Sequence, residues 1–304
     1  MTVQDHAAAG DPLFPGFSTG VCETPVARIF YRIGGEPTAP PVVLLHGFPQ
    51  TGAMWARVAL DLAKTYRVIV PDLRGYGRSV GPVGAAAMAK RELTGDLFAL
   101  ADHLGIDTFA LVGHDRGGRV AYRAALDMPE RISKLSLLDI LPTSEYWAAL
   151  DRSFAMKIYH WAFLAQPAPM PETLIGAAPD FFVDDKLERW AGHRGLAAFD
   201  AHAQEQYRDN ARTPARLQAM CDDYRAGASI DVEHDLADQR AGKKIPMPTQ
   251  ILWGAEGIAQ SAATPLDTWA RWCDIVSGQP VDSGHFLPEE NPGETLAALQ
   301  QFLS

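Results

Sequence analysis

The chain shows two regimes of apolar spacing. Val26-Ala27-Arg28-Ile29-Phe30-Tyr31-Arg32-Ile33 alternates and predicts a half-exposed strand closed by Gly34-Gly35, after an irregular surface arm over residues 1–20. Beyond the proline-rich turn at Pro37 to Pro41, short continuous apolar runs take over: Val42-Val43-Leu44-Leu45, Val68-Ile69-Val70, Phe109 to Val112 and Leu135-Ser136-Leu137-Leu138. Such runs suit strands covered on both faces of a parallel sheet. Between them, Trp55 to Lys64, Ala86 to Leu104 and Val120 to Leu126 carry helical spacing. From about residue 142 to 245 the alternation of strand and helix stops, and aromatic-rich helical segments follow one another, separated by clusters such as Gln166-Pro167-Ala168-Pro169-Met170-Pro171. It resumes with Thr249 to Gly254 and Val276 to Val281 as strands and Pro292 to Phe302 as a final helix.

This pattern predicts an α/β fold: a mainly parallel twisted sheet with helices on both faces, built from residues 1–141 and 246–304, and interrupted by a helical cap over residues 142–245. Such a cap would cover the carboxyl ends of the strands, where open α/β sheets bind their ligands.

Composition narrows the field without choosing a function. The 304 residues are 47% hydrophobic and 21% charged, an ordinary globular balance. A net charge of −10 argues against nucleic acid or anionic membrane as partner, and an anionic substrate would need a local basic site. The first residues lack the cationic start and apolar run of a signal peptide, and no apolar run reaches membrane-spanning length, so a cytoplasmic protein is expected. Cys22, Cys221 and Cys273 are widely spaced and predict buried reduced thiols rather than disulfides or a zinc site.

The chemistry centres on Gly113-His114-Asp115-Arg116-Gly117, between a predicted strand and a predicted helix. This is the G-x-S-x-G nucleophile elbow, with Asp115 where serine usually stands. A plain strand-to-helix turn with a capping aspartate is the alternative. Chain order favours the elbow, because nucleophile, acid and histidine follow one another in α/β hydrolases. His285, in Ser283-Gly284-His285-Phe286 before the last helix, takes the histidine place. Asp139, at the end of the Leu135–Leu138 strand, is the preferred acid over Glu256, which follows Trp253-Gly254 where the fold can also keep its acid; the usual aspartate three residues past Gly254 is replaced by Gly257.

An aspartate nucleophile changes the reaction. It is already ionised and can displace a leaving group from saturated carbon, forming an ester that a histidine-activated water then hydrolyses. The oxyanion of that second step needs two amide donors, and those of Phe48, in His46-Gly47-Phe48-Pro49, and Arg116 occupy the right motif positions. Cleavage of a carbon–halogen bond or of an epoxide is indicated, not peptide hydrolysis.

His46-Gly47-Phe48-Pro49-Gln50-Thr51, Gly113 to Arg119, Leu138-Asp139-Ile140, Tyr159-His160-Trp161, Cys221 to Gly227 and Ser283-Gly284-His285-Phe286 together resemble the fluoroacetate dehalogenases, from about residue 20 onward and through the cap. The residue after the nucleophile is commonly Trp in haloalkane dehalogenases and epoxide hydrolases, and here it is Arg116. The resemblance implies an α/β-hydrolase fold, Arg116 and Arg119 as the clamp on a haloacetate carboxylate, and His160, Trp161 and Tyr224 as donors to the leaving halide. It also implies a homodimer and no metal or organic cofactor. An epoxide hydrolase using Asp115, His285 and Tyr224 is the rival enzyme, although a neutral epoxide gives paired arginines nothing to bind. A ligand-binding protein that keeps the fold without turnover is the non-enzymatic rival.

Overall fold

The computed structural model describes residues 11–257 and 264–304. Its strands are β1 (Ser18–Glu23), β2 (Arg28–Gly34), β3 (Pro41–Leu45), β4 (Arg67–Pro71), β5 (Phe109–His114), β6 (Ile132–Leu138), β7 (Thr249–Gly254) and β8 (Val276–Val281). They form one sheet in the order β1-β2-β4-β3-β5-β6-β7-β8. The pairs β1–β2 and β2–β4 are antiparallel and all others parallel. The continuous apolar runs are the inner strands: every residue of β5 is buried, as are Val42 to Leu45 of β3.

Helices α1 (Ala56–Leu62), α2 (Lys90–His103) and α3 (Asp115–Asp127) lie between β3 and β4, β4 and β5, and β5 and β6 in turn. Between β6 and β7 lie α4 (Thr143–Ala148), α5 (Arg152–Lys157), α6 (Tyr159–Leu164), α7 (Met170–Gly176), α8 (Pro179–Trp190), α9 (Ala201–Arg212), α10 (Pro214–Gly227) and α11 (Ile230–Arg240), with no strand among them. The chain closes with α12 (Pro265–Trp269), α13 (Leu287–Glu290) and α14 (Pro292–Leu303). All three cysteines are free and buried.

The structure differs from the sequence expectation at the N-terminal segment and before α2: β2, expected half-exposed, exposes only Arg28, and Phe14 of the expected surface arm is fully buried. Residues 18–20 belong to β1, not to an irregular arm; this edge strand keeps only Cys22 buried, so it carries no alternation to read. Residues 1–10 of that expected arm lie outside the described residues. The helix expected from Ala86 begins at Lys90, because Ala89 has an extended ψ of 142° and Arg74 Nη1 donates to the Ala87 carbonyl, which fixes the Ala86–Ala89 stretch as a turn.

Candidate active site

Parallel pairing brings the carboxyl ends of β5, β6 and β8 to one edge of the sheet, and the three candidate catalytic residues follow those ends. Asp115 stands at the β5–α3 junction with φ of +45°, a left-handed conformation that a side chain adopts only under constraint. The constraint is close packing from behind. A Cβ on Gly117 would lie 2.3 Å from the His46 carbonyl oxygen, and one on Gly47 would lie 2.5 Å from the Asp115 Cβ. The glycines therefore let the His46–Gln50 turn approach the elbow closely enough for the Phe48 N–H to donate to Asp115 Oδ1 at 2.9 Å.

Asp139 follows β6 directly, with φ of +48°. Its Oδ2 accepts from His285 Nδ1 at 2.6 Å, and its Oδ1 accepts from the Gly254 amide at 3.2 Å. With Nδ1 directed at Asp139, it is Nε2 of His285 that faces Asp115 and that carries the lone pair when the imidazole is neutral. That nitrogen lies 4.0 Å from Asp115 Oδ2, too far for a hydrogen bond, so it is open to a water between the two groups. Burial alone would lower the His285 pKa, but the hydrogen bond and charge of Asp139, with the charge of Asp115, raise it above the ordinary histidine value. Burial works against ionisation of Asp115, and the positive charges of His285, Arg116 and Arg119 outweigh it and hold the carboxyl below its ordinary value.

Glu256, the alternative acid, is half exposed and accepts from His193 at 3.1 Å. The sequence departure at Gly257 has a steric reason: a Cβ there would fall 2.4 Å from Asp139 Oδ1. The acid after β6 occupies the space that a side chain at position 257 would need.

Both arginines at the elbow are almost wholly buried and held from behind. Arg116 donates through Nε and Nη2 to Asp223 Oδ1, at 3.1 and 2.5 Å, and through Nη2 to the Asp223 carbonyl at 2.8 Å. Its Nη1 has no hydrogen-bond partner among the described residues. Arg119 donates through Nη1 to the Leu141 carbonyl and Thr143 Oγ1, both at 3.0 Å, and its Nε is likewise unpartnered. Their guanidinium groups lie over the aromatic rings of the inserted segment: Arg116 over Tyr224 at 4.3 Å, Arg119 over Trp161 at 4.5 Å.

His160 and Trp161 come from α6 and Tyr224 from α10, and the three rings cluster around Phe48 and Arg116. Burial holds His160 well below the usual histidine pKa, so it is neutral and offers one N–H; its Nδ1 has no partner. Burial raises Tyr224 well above the usual phenol value, which keeps its proton in place. Among the described residues neither the Tyr224 hydroxyl nor the Trp161 indole N–H is engaged by another protein group. No group of three or more His, Cys, Asp or Glu among the described residues is placed to hold a metal ion.

The family description "alpha/beta hydrolase fold" matches residues 40–292. This chain belongs to the α/β-hydrolase family. The hydrolase is 41% identical over 295 residues to a fluoroacetate dehalogenase from a Burkholderia species, covering 96% of this chain and 95% of the relative. It is also 40% identical to an epoxide hydrolase from Caballeronia sordidicola, covering 93% and 94%. A candidate α/β hydrolase from Nostoc sp PCC 7120 superposes with a TM-score of 0.91 at 43% identity, covering 95% of this chain and 98% of that one. The motif-based resemblance thus extends along nearly the full length.

Three residues at the site of this hydrolase escape sequence reasoning. Asp223 holds Arg116 and is itself contacted by Lys90 Nζ and the Tyr76 hydroxyl. Tyr146 stacks on Trp161 at 4.8 Å and lies beneath Arg119. Trp190 packs against His160 at 4.4 Å, and its carbonyl accepts the His285 amide. Asp223 sits inside a motif, beside Tyr224, but nothing in its spacing indicates which cation it serves.

Proposed function

We propose that this hydrolase is a haloacetate dehalogenase that converts fluoroacetate and its halogen analogues to glycolate and halide, with residues 142–245 acting as the cap that completes the substrate pocket. The observation that carries this reading is the pair of buried, unpartnered N–H groups on Arg116 and Arg119 at the elbow. Buried polar groups left unpaired are costly, and two cationic donors beside one nucleophile fit a carboxylate that leaves with the product.

In this mechanism the substrate carboxylate bridges Arg116 and Arg119 and aims its α-carbon at Asp115. Oδ2 of Asp115 attacks that carbon, and the carbon–halogen bond breaks with its electron pair. The departing halide takes hydrogen bonds from neutral His160, Trp161 and Tyr224. The Asp115 ester that results has lost its charge, which removes one of the influences that raise the His285 pKa. His285 Nε2 then takes a proton from water as the water oxygen attacks Asp115 Cγ. The oxyanion forms on Oδ1, where the Phe48 amide already donates. Collapse expels glycolate, which recovers the proton from His285, and Asp115 returns to its carboxylate with net release of one proton.

His285→Asn keeps the first half and blocks the second. Incubated with fluoroacetate, this variant is expected to gain the mass of one carboxymethyl group on Asp115 and to release one equivalent of fluoride per site. An unmodified protein with no fluoride released would overturn the assignment. The epoxide hydrolase reading draws on the Tyr224 phenol and on the relative with that activity; parallel turnover of fluoroacetate, chloroacetate and a small epoxide by the wild-type protein separates the two. The same reading carries a homodimer, which light scattering in solution checks.

A further inference from the structure

We infer that Asn210, on the inserted helix α9, is a positioning residue that aims the Phe48 amide and so serves the hydrolytic half of the reaction alone. This rests on the proposed role of Asp115 as nucleophile. Asn210 is fully buried, and its Nδ2 donates to the carbonyls of Pro49 at 3.1 Å and Gln50 at 3.4 Å, the two residues that follow Phe48. Its Oδ1 accepts from the Gly77 amide at 2.9 Å, which anchors it to the loop after β4. Two neighbours on α9 reach the same turn. Gln206 accepts from Thr51 Oγ1 at 3.2 Å, and the Tyr207 hydroxyl donates to Glu289, whose other carboxylate oxygen accepts from Gln50. The segment that carries the halide donors therefore also fixes one wall of the oxyanion site.

The two chemical steps use the Phe48 amide with opposite sign. Before attack, its hydrogen bond to Oδ1 stabilises the Asp115 carboxylate, whose charge moves onto the halide in the displacement transition state. In ester hydrolysis, negative charge instead builds on Oδ1 itself. An interaction accelerates only the step in which it strengthens on the way to the transition state. Displacing this amide therefore slows hydrolysis and leaves alkylation unchanged or faster.

The test is Asn210→Ala and Asn210→Asp, examined by quench-flow halide release from chloroacetate and by intact-mass detection of the Asp115 ester. First-turnover halide release is expected within about twofold of wild type or faster, while ester hydrolysis slows by roughly tenfold or more, since loss of an oxyanion donor costs on the order of a hundredfold or more. The ester should then accumulate in the steady state. Asn210→Asp should be the slower variant, because it faces the Pro49 and Gln50 carbonyls with an acceptor. A space-filling role predicts the reverse order and equal slowing of both steps. Either result, or a folded Asn210→Ala variant with unchanged hydrolysis, overturns the inference. Where neither variant folds, Tyr207→Phe, which removes only the hydroxyl link through Glu289, is expected to give the same ester accumulation to a smaller degree, and its absence counts equally against. If the His285→Asn protein forms no adduct, the nucleophile assignment has failed instead, which is a separate outcome.

Discussion

Asp139→Asn separates the acid's electrostatic role from its shape. The carboxylate accepts from His285 Nδ1 at 2.6 Å and from the Gly254 amide at 3.2 Å. A carboxamide of the same outline has one acceptor and one donor for these two positions. With its oxygen toward Gly254, its NH₂ meets Nδ1, and the imidazole proton must move to Nε2, where it removes the lone pair that takes a proton from water. With its oxygen toward His285, the NH₂ meets the Gly254 N–H in a buried clash. A hydrogen bond to a charged group contributes about 1.5–3 kcal/mol, and at about 1.4 kcal/mol per tenfold this predicts ester hydrolysis slower by roughly 10- to 150-fold. In the proposed mechanism alkylation does not use His285, so its rate should be kept. The pH profile moves as well. Asp139 supplies the largest influences that raise the His285 pKa against burial, so without that charge the pKa falls. The acid limb of ester hydrolysis, which reports His285 losing its proton, should therefore shift to lower pH while the plateau drops. Rapid-quench halide release and ester mass measured between pH 5 and 9 read both effects. Equal slowing of both steps, or an acid limb that stays in place, would refute the reasoning.

Two further perturbations test the buried charges behind the site. Asp223→Asn leaves Arg116 without its anion and Lys90 with only the more distant Asp231, 3.7 Å away. Breaking a buried pair in this way costs about 3–5 kcal/mol, so urea unfolding should show a loss of that order together with a raised KM for haloacetate; a loss below about 1 kcal/mol would contradict it. Burial pushes Glu289 up to about 8, so the folded protein holds this proton at a pH where the unfolded chain has released it. A raised carboxyl pKa destabilises the fold progressively as pH rises from the ordinary glutamate value toward 8. Glu289→Gln is therefore expected to raise the unfolding midpoint at pH 7.5 relative to wild type and to change it little at pH 4.5; the opposite ordering would exclude the argument.

How much of the site was legible in the sequence depended on whether each contact left a local mark. The elbow did, because Gly113 and Gly117 must admit backbone within van der Waals distance and only glycine allows it. The inner strands did, because burial on both faces demands continuous apolar residues. The edge strand β1 and the Ala86–Ala89 turn did not: the first buries one residue, and the second is set by a hydrogen bond from Arg74 rather than by its own alanines, which favour helix.

The sequence by itself determined the chain order of Asp115, Asp139 and His285, the alternation that builds a parallel sheet, and the presence of two arginines beside an aspartate where serine is usual. Tertiary structure alone decided the rest. It set Asp139, the acid the sequence already preferred, 2.6 Å from His285 with Gly257 leaving the space, and it paired Arg116 with Asp223 across 107 residues of chain and Asn210 with the Pro49 carbonyl across 161. The reason is physical: periodicity and turn chemistry are imposed by neighbours along the backbone, whereas a hydrogen bond between distant segments depends on strand register and helix packing that no local pattern encodes.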